Sequence, residues 1–367
     1  MLLLSSCNLN EAPYTISVVN KLMVARKGAT VAVRKSDLHN ITCEEFARLF
    51  VEDARTGEYL TSQLIDEDMD GELDYLMFQP VLNAGETRTY NLITDVDSSL
   101  LPVTGISTYS RFVPERMDDY AWENDRVAFR TYGPTAEQMV VDGTPGGTIS
   151  SGIDCWLKRV EYPIINKWYK KSLEGGGSYH EDTGEGLDDF YLGASRGCGG
   201  VGVWSEEEQK LYTSRNFTGW KTIAEGPVRT QFELTYAPWS TPAGMIKETK
   251  IISLDLGSNL ARFKVLVSAD DPVKELSVGI TQHEKAGTNH ADQDNGWFSY
   301  WQPHGDSELG MGIVVAPEYL TGYEEYLVDE PDQSHLLVHL KPVDGKVVYY
   351  AGFGWKKSGQ FEDEQAW

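Results

Sequence analysis

Residues 228–269 read VRTQFELTYAPWSTPAGMIKETKIISLDLGSNLARFKVLVSA. Through VRTQFELTY, MIKETKIISL and ARFKVLVSA, apolar and polar side chains alternate, which is the period of two expected of a strand with one wet face. Turn formers separate the runs, Pro242 and Gly244 in the first gap and Gly257, Ser258 and Asn259 in the second. Strands joined by such short gaps pair antiparallel. The pattern recurs upstream in RVAFRTYG (126–133) and GVGVWS (200–205). It recurs downstream in ELSVGITQH (275–283), LGMGIVVA (309–316), HLLVHLKPV (335–343) and KVVYYAGFGW (346–355). So many strands in series predict an all-β chain, with a large antiparallel β supersandwich over 104–367 expected to carry the site. From Tyr14 to about Asp97 shorter runs, ISVVN, LMVAR, TVAVR and RLFVED, predict a smaller N-terminal β-sandwich unit over 14–103. The polar DVDSSL (95–100) reads as a linker, with the boundary near Thr104.

With 32 Lys and Arg against 56 Asp and Glu, the net charge is −24, a field that repels nucleic acid and anionic surfaces. An anionic ligand would need arginines gathered in one cleft to reverse that potential locally. The ten Trp and nineteen Tyr suit strands that expose rings, and sugar binding is one use for such rings. Residues 1–7, MLLLSSC, resemble a truncated lipoprotein signal ending in a lipobox, which implies a lipid anchor on Cys7 as the only membrane attachment and a periplasmic or outer-membrane location. Cys43, Cys155 and Cys198 are then odd in number, so a disulfide framework does not hold the fold.

Three segments carry candidate chemistry. In DEDMDGELD the acidic side chains Asp66, Asp68, Asp70, Glu72 and Asp74 alternate about Gly71. That is the opening of an EF-hand-like calcium loop, with a backbone carbonyl at the seventh position; Met77 stands where the bidentate Glu would be, so a β-hairpin setting and a structural Ca2+ are expected. In RFVPERMDDYAWENDRVAFR (111–130) four arginines and four carboxylates surround Tyr120 and Trp122, the local reversal of potential that an acidic ligand would need. In SYHEDTGEGLDD (178–189) His180 stands among acidic residues within a long Gly-rich stretch, and His180, Asp182 and Glu185 also offer mixed donors to a metal. No GxSxG, HExxH, CxxC or phosphate-loop pattern occurs, which removes the usual support for serine hydrolases, zinc proteases and nucleotide enzymes.

The runs PERMDDYAWENDRVAFRTYGP, SGIDCWLKRVEYPIINKWY, SYHEDTGEGLDDFYLG, SRGCGGVGVW, LYTSRNFTGWK and GPVRTQFELTYAPW resemble, in order, a bacterial family long catalogued as a domain of unknown function, with genes in polysaccharide-utilisation loci. The resemblance implies a galactose-mutarotase-like supersandwich. One branch is associated with dehydrating ulvan oligosaccharides at their non-reducing end, so an acidic oligosaccharide is the partner expected.

Removing the C5 proton and C4 hydroxyl of a terminal uronic acid needs a base, an acid and a cation on the carboxylate. His180 is the preferred base, with His283 as its rival at the end of an apolar strand. Tyr120 and Tyr191 are candidate acids. Arg126, after Asn124, is the expected carboxylate clamp by analogy with the Asn and Arg pair of mutarotase-like proteins. Arg111 and Arg116 are further candidates for binding the substrate, Arg196 and Arg215 for sulfate or a second sugar, and Trp122, Trp297 and Trp301 for stacking. His290 and His304, flanking NGWFSYWQPH, are weaker candidates. A glycoside hydrolase, a polysaccharide lyase, a glycan-binding lipoprotein and a sugar epimerase share most of these requirements.

Overall fold

The computed structural model describes residues 14–330 and 332–367, so the lipobox and Cys7 lie outside the described residues. The chain forms two compact units that divide between Gly105 and Ile106. It is nearly all β, in antiparallel sheets.

In the first unit a four-stranded sheet runs in the order Tyr14–Val19, Thr87–Ile93, Phe50–Asp53, Tyr59–Leu60. A three-stranded sheet runs Val31–Arg34, Tyr75–Phe78, Ser62–Ile65. Val51, Tyr90 and Leu92 of one sheet share a core with Val33, Leu76 and Phe78 of the other. LMVAR is not a strand. The Asn20 carboxamide donates to the Val24 carbonyl and accepts from Leu22 N–H, folding the segment into a turn that leaves Met23 exposed.

In the second unit a nine-stranded sheet contains the three strands read from 228–269, now bounded as Arg229–Tyr236, Gly244–Asp255 and Leu260–Ser268. One five-stranded sheet places Cys198–Ser205, Leu276–Thr281 and His335–Leu340 side by side. A second five-stranded sheet runs Gly186–Leu187, Asp154–Lys158, Ala128–Thr131, Asp119–Glu123, Tyr109–Val113. Side chains from all three sheets form one continuous core, among them Phe232, Ile252 and Phe263, Val278 and Val338, and Trp122 and Phe129.

The alternation in MIKETKIISL runs opposite to a simple wet-face reading. Ile246, Glu248, Lys250, Ile252 and Leu254 turn inward, and Glu248 and Lys250 are almost wholly buried, 3.1 Å apart. The pair survives inside because each charge meets the other and Lys250 also meets the Tyr236 hydroxyl at 3.2 Å. A short helix, Ile165–Leu173, lies on the far face of the second five-stranded sheet, where Ile165, Trp168 and Tyr169 pack with Ala121, Ala128 and Trp156.

Candidate active site

Strand alternation sorts the side chains of the second five-stranded sheet. On DYAWE, Tyr120 and Trp122 enter the main core, while Asp119, Ala121 and Glu123 take the helix side. On AFRT, Phe129 enters the core and Arg130 takes the helix side; on DCWLK, Cys155 and Leu157 enter the core and Asp154, Trp156 and Lys158 take the helix side. Five charged groups therefore meet beneath one helix.

Two of them close on each other. Lys158 Nζ lies 2.9 Å from Glu123, whose carboxylate accepts the backbone N–H groups of Ile164 and Ile165 at the start of the helix. This pair is neutral and saturated, and it anchors the helix.

The others build a charge network. The Arg130 guanidinium donates to Asp154 at 3.0 Å, Asp188 at 2.9 Å and the Tyr132 hydroxyl at 3.3 Å, with its face on the Trp156 ring. Arg116 donates to Asp119 at 2.9 Å, and the Tyr169 hydroxyl donates to the same carboxylate at 2.9 Å. Two guanidiniums thus face three carboxylates. Burial pushes the Asp119 carboxyl up despite Arg130 and Arg116, and pushes Asp154 up to about 7 despite Arg130.

The segment after it supplies the outer wall. Tyr179 packs against Trp156 and His180 against Tyr179, with ring centroids 5.2 and 4.5 Å apart. His180 Nδ1 lies 2.5 Å from the Asp188 carbonyl oxygen, and the His180 side chain is 59% exposed. A carbonyl only accepts, so Nδ1 carries the proton and Nε2 is left as the basic nitrogen. His304 Nε2 meets the Asp189 carboxylate at 2.8 Å, and His283 Nε2 meets the Tyr191 carbonyl at 2.9 Å. One short run, Asp188 to Tyr191, therefore positions three histidines. Burial lowers the pKa of His283. Tyr191 itself is 70% exposed at φ 52°, a left-handed backbone that costs an aromatic residue on the order of 1 kcal/mol or more and is typical of functional loops.

The remaining sequence-predicted residues fall elsewhere. Tyr120 is fully buried and stacked on Phe232; its hydroxyl, held by Thr222 and Ser110, is pushed up to about 12 by burial, so it is not a usable acid. Trp122 is fully buried against Phe129 and Trp301 is held by Glu308, and neither presents a ring to a sugar. Arg196 is buried and spent on Ser151 and backbone carbonyls. Arg215 pairs with Glu137 on the surface.

Asn124 ties the hairpin turn to Asp255 and Ser258, and Arg126 in that turn donates to Asn259 at 2.5 Å. The turn lies at the opposite end of strand Asp119–Glu123 from Arg116, on the order of 15 Å away at ~3.3 Å per residue. Arg111 lies over the Tyr169 ring and pairs with Glu115, and Arg116 shares Asp119 with the Tyr169 hydroxyl; Tyr169 in turn meets Tyr179, the ring beside His180. A metal at His180, Asp182 and Glu185 is disfavoured, because Asp182 is taken by Arg159 and two glycine amides and Glu185 by Lys167 and Tyr162. Sequence reasoning counted Arg130 among the four arginines of 111–130 without giving it a role, and missed Asp154 and Tyr169; their signal was an Asp and a Tyr on the polar phase of otherwise apolar elements.

In the first unit, the DEDMDGELD turn joins strands Ser62–Ile65 and Tyr75–Phe78, as a hairpin. Carboxylate oxygens of Asp66, Asp68 and Asp74 converge within 4.8 Å, and Asp66 Oδ1 is buried without a hydrogen-bond partner. Glu72 turns its side chain to Lys35, leaving only its carbonyl for the loop, and Asp70 accepts from Glu72 N–H. The donor set fits a hard cation.

Residues 18–367 match the family described as a domain of unknown function, DUF4861. The chain belongs to this family. A relative, "Uncharacterized protein P7" of Formosa agariphila, is 46% identical over 367 residues, covering all of this chain and 91% of that protein. Among solved structures, a protein in glycosyl hydrolase family 38 from Enterococcus faecalis aligns at TM-score 0.49 and 11% identity. An alpha-mannosidase from Enterococcus faecalis V583 aligns at 0.47 and 12%. They cover 95% and 94% of this chain, which spans less than half of either, at 45% and 44%. Likenesses this distant carry no argument about activity.

Proposed function

We propose that this DUF4861 protein is a carbohydrate-active hydro-lyase that removes water from the non-reducing-end uronic acid of oligosaccharides such as ulvan fragments, on a galactose-mutarotase-like supersandwich. The observation that supports it most is His180: its Nδ1 proton is fixed on the Asp188 carbonyl, and its basic Nε2 stands at the rim of a network of two arginines and three carboxylates. In this reading His180 Nε2 takes the C5 proton while Arg116 and Arg111 hold the C5 carboxylate as charge builds on it. The C4–O bond breaks, a C4=C5 bond forms, and the hydroxyl leaves as water with a proton from Tyr191. His283 positions Tyr191 through its carbonyl. His180 and Tyr191 are both exposed, so the proton gained by one and the proton lost by the other are exchanged with solvent between turnovers.

The DEDMDGELD loop is read as a structural calcium site of the first unit, and the lipobox as a lipid anchor placing the enzyme in the periplasm or at the outer membrane. Incubating the protein with defined uronate oligosaccharides and weighing the products tests the activity. Loss of one water with the chain intact is expected. Chain cleavage would make it a hydrolase or polysaccharide lyase, and binding without any product would make it a glycan-binding lipoprotein.

A further inference from the structure

The hairpin at the edge of the nine-stranded sheet carries a second aromatic pocket. On strand Trp297–His304, Phe298 and Tyr300 enter the core, so Trp297, Ser299 and Trp301 take the outer face. Trp301 is covered, since a Cβ on Gly310 would strike its ring. Trp297 is not: it is 40% exposed at the mouth of a cavity of about 520 Å³ lined by His290, Trp297, Ser299, Glu364, Gln365 and Trp367. Trp367 is seated over Gly310 and Gly354, where a Cβ would come within 2.7 Å of its ring, and more loosely over Gly312, so its indole forms a packed wall. His290 and Glu364 are tied at 2.9 Å, and Asp292 stands opposite Trp297 in the hairpin register.

We infer that this pocket binds a neutral pyranose residue of a polysaccharide, separately from the proposed active site, and the inference rests on the carbohydrate reading given above. Two indoles beside a hydroxyl, a carboxamide and an imidazole–carboxylate pair match a sugar ring, which has one apolar C–H face and a rim of hydroxyls. A half-exposed indole beside a packed one is a hydrophobic surface that a flat ligand would cover. The charges select against uronates and sulfates. Glu364 and Asp292 are acidic, the lining contains no Lys or Arg, and its single basic group, His290, is already paired with Glu364. The pocket would hold a neutral unit of a chain.

Titrating the full chain with neutral xylo-oligosaccharides and galacto-oligosaccharides, followed by tryptophan fluorescence and calorimetry, tests this. The expected result is saturable binding to at least one of them. Trp297→Ala should weaken it about tenfold or more, the loss of one stacked ring, and Trp297→Phe should weaken it less. Both variants should keep the wild-type melting temperature, and His180→Asn should bind the neutral sugar as wild type does. Equal binding by Trp297→Ala and wild type, or saturation by neither neutral series, overturns the pocket assignment even where uronate dehydration is found. Conversely, Trp297-dependent binding in a protein that fails to dehydrate any uronate supports the pocket and removes only the hydro-lyase reading.

Discussion

At His180 the contact with the Asp188 carbonyl does what a buried carboxylate does in many acid–base pairs: it chooses the tautomer. At Arg116 a single nitrogen, Nη1, donates to both oxygens of Asp119, and the side chain remains 20% exposed. Arg116→Lys keeps the charge and loses the fork, so kcat/KM should fall roughly tenfold to a hundredfold, the worth of about 1.5–3 kcal/mol of charged hydrogen bonding; a fall of less than twofold would remove Arg116 from the site. Tyr120→Phe is the contrasting substitution. Its ring stays in the core and only the contacts to Ser110 and Thr222 are lost. Turnover should be unchanged and stability lower by about 1 kcal/mol in urea denaturation; a large loss of turnover would return Tyr120 to the chemistry. From sequence, Arg126 was preferred to Arg116 as the clamp, with Tyr120 and Trp122 set beside them, because all lie within one twenty-residue run. What separates them is strand phase and the hairpin turn at Asn124, which divide that run between a core face, a charged face and a far end.

Among elements, the first-unit hairpin and the 178–191 segment make opposite kinds of site. The hairpin closes on itself: Asp66 accepts from Gly71, Asp68 from Asp70 and Asp74 from Glu67, which leaves the converging oxygens aimed at one point. Calcium should raise the melting temperature of the first unit and chelation should lower it, while turnover at a temperature where both forms are folded stays the same. Asp66→Asn should abolish the calcium dependence; an unchanged response to calcium would show the cluster to be an acidic turn only. The convergence of Asp66, Asp68 and Asp74 was legible because these carboxylates lie within nine residues of one another, and local turn chemistry sets their geometry. The 178–191 segment was legible only as a long loop with one His. Its three histidine contacts come from His180, His283 and His304, whose meeting depends on sheet order, and helix Ile165–Leu173 was hidden by its brevity, with Ile165, Trp168 and Tyr169 its only periodic signal.

Across the whole molecule the alternating runs around 228–269 foretold an all-β chain in antiparallel sheets, because a period of two is a property of each strand alone. They did not foretell which face was wet, and the inward Glu248 and Lys250 show the limit: a charged pair satisfied by its own neighbours is indistinguishable in sequence from a solvated one. Buried histidines bear on the pH range of the fold. His335 accepts the Arg196 N–H at Nε2 and meets the Gln333 carbonyl at Nδ1, and burial beside Arg196 lowers its pKa to about 3. Its folded value lies below the unfolded one, so its contribution is full above about pH 6.5 and is lost as pH falls toward 3, at up to about 1.4 kcal/mol per pH unit. His283, lowered in the same direction, adds to that acid limb. Stability measured by urea denaturation should therefore fall between pH 6 and 4 in the wild type and fall less steeply in His335→Gln; equal slopes would exclude His335 as the cause.

The role of His180 is tested most directly by the rate at which His180→Asn converts a defined uronate oligosaccharide, with the water-loss product followed by mass. Asn can hold a hydrogen bond but cannot take a proton at neutral pH. With His180 as the base, substrate still binds the variant within a fewfold of wild type and turnover falls on the order of a hundredfold to ten-thousandfold. Dehydration by His180→Asn at the wild-type rate would contradict that role.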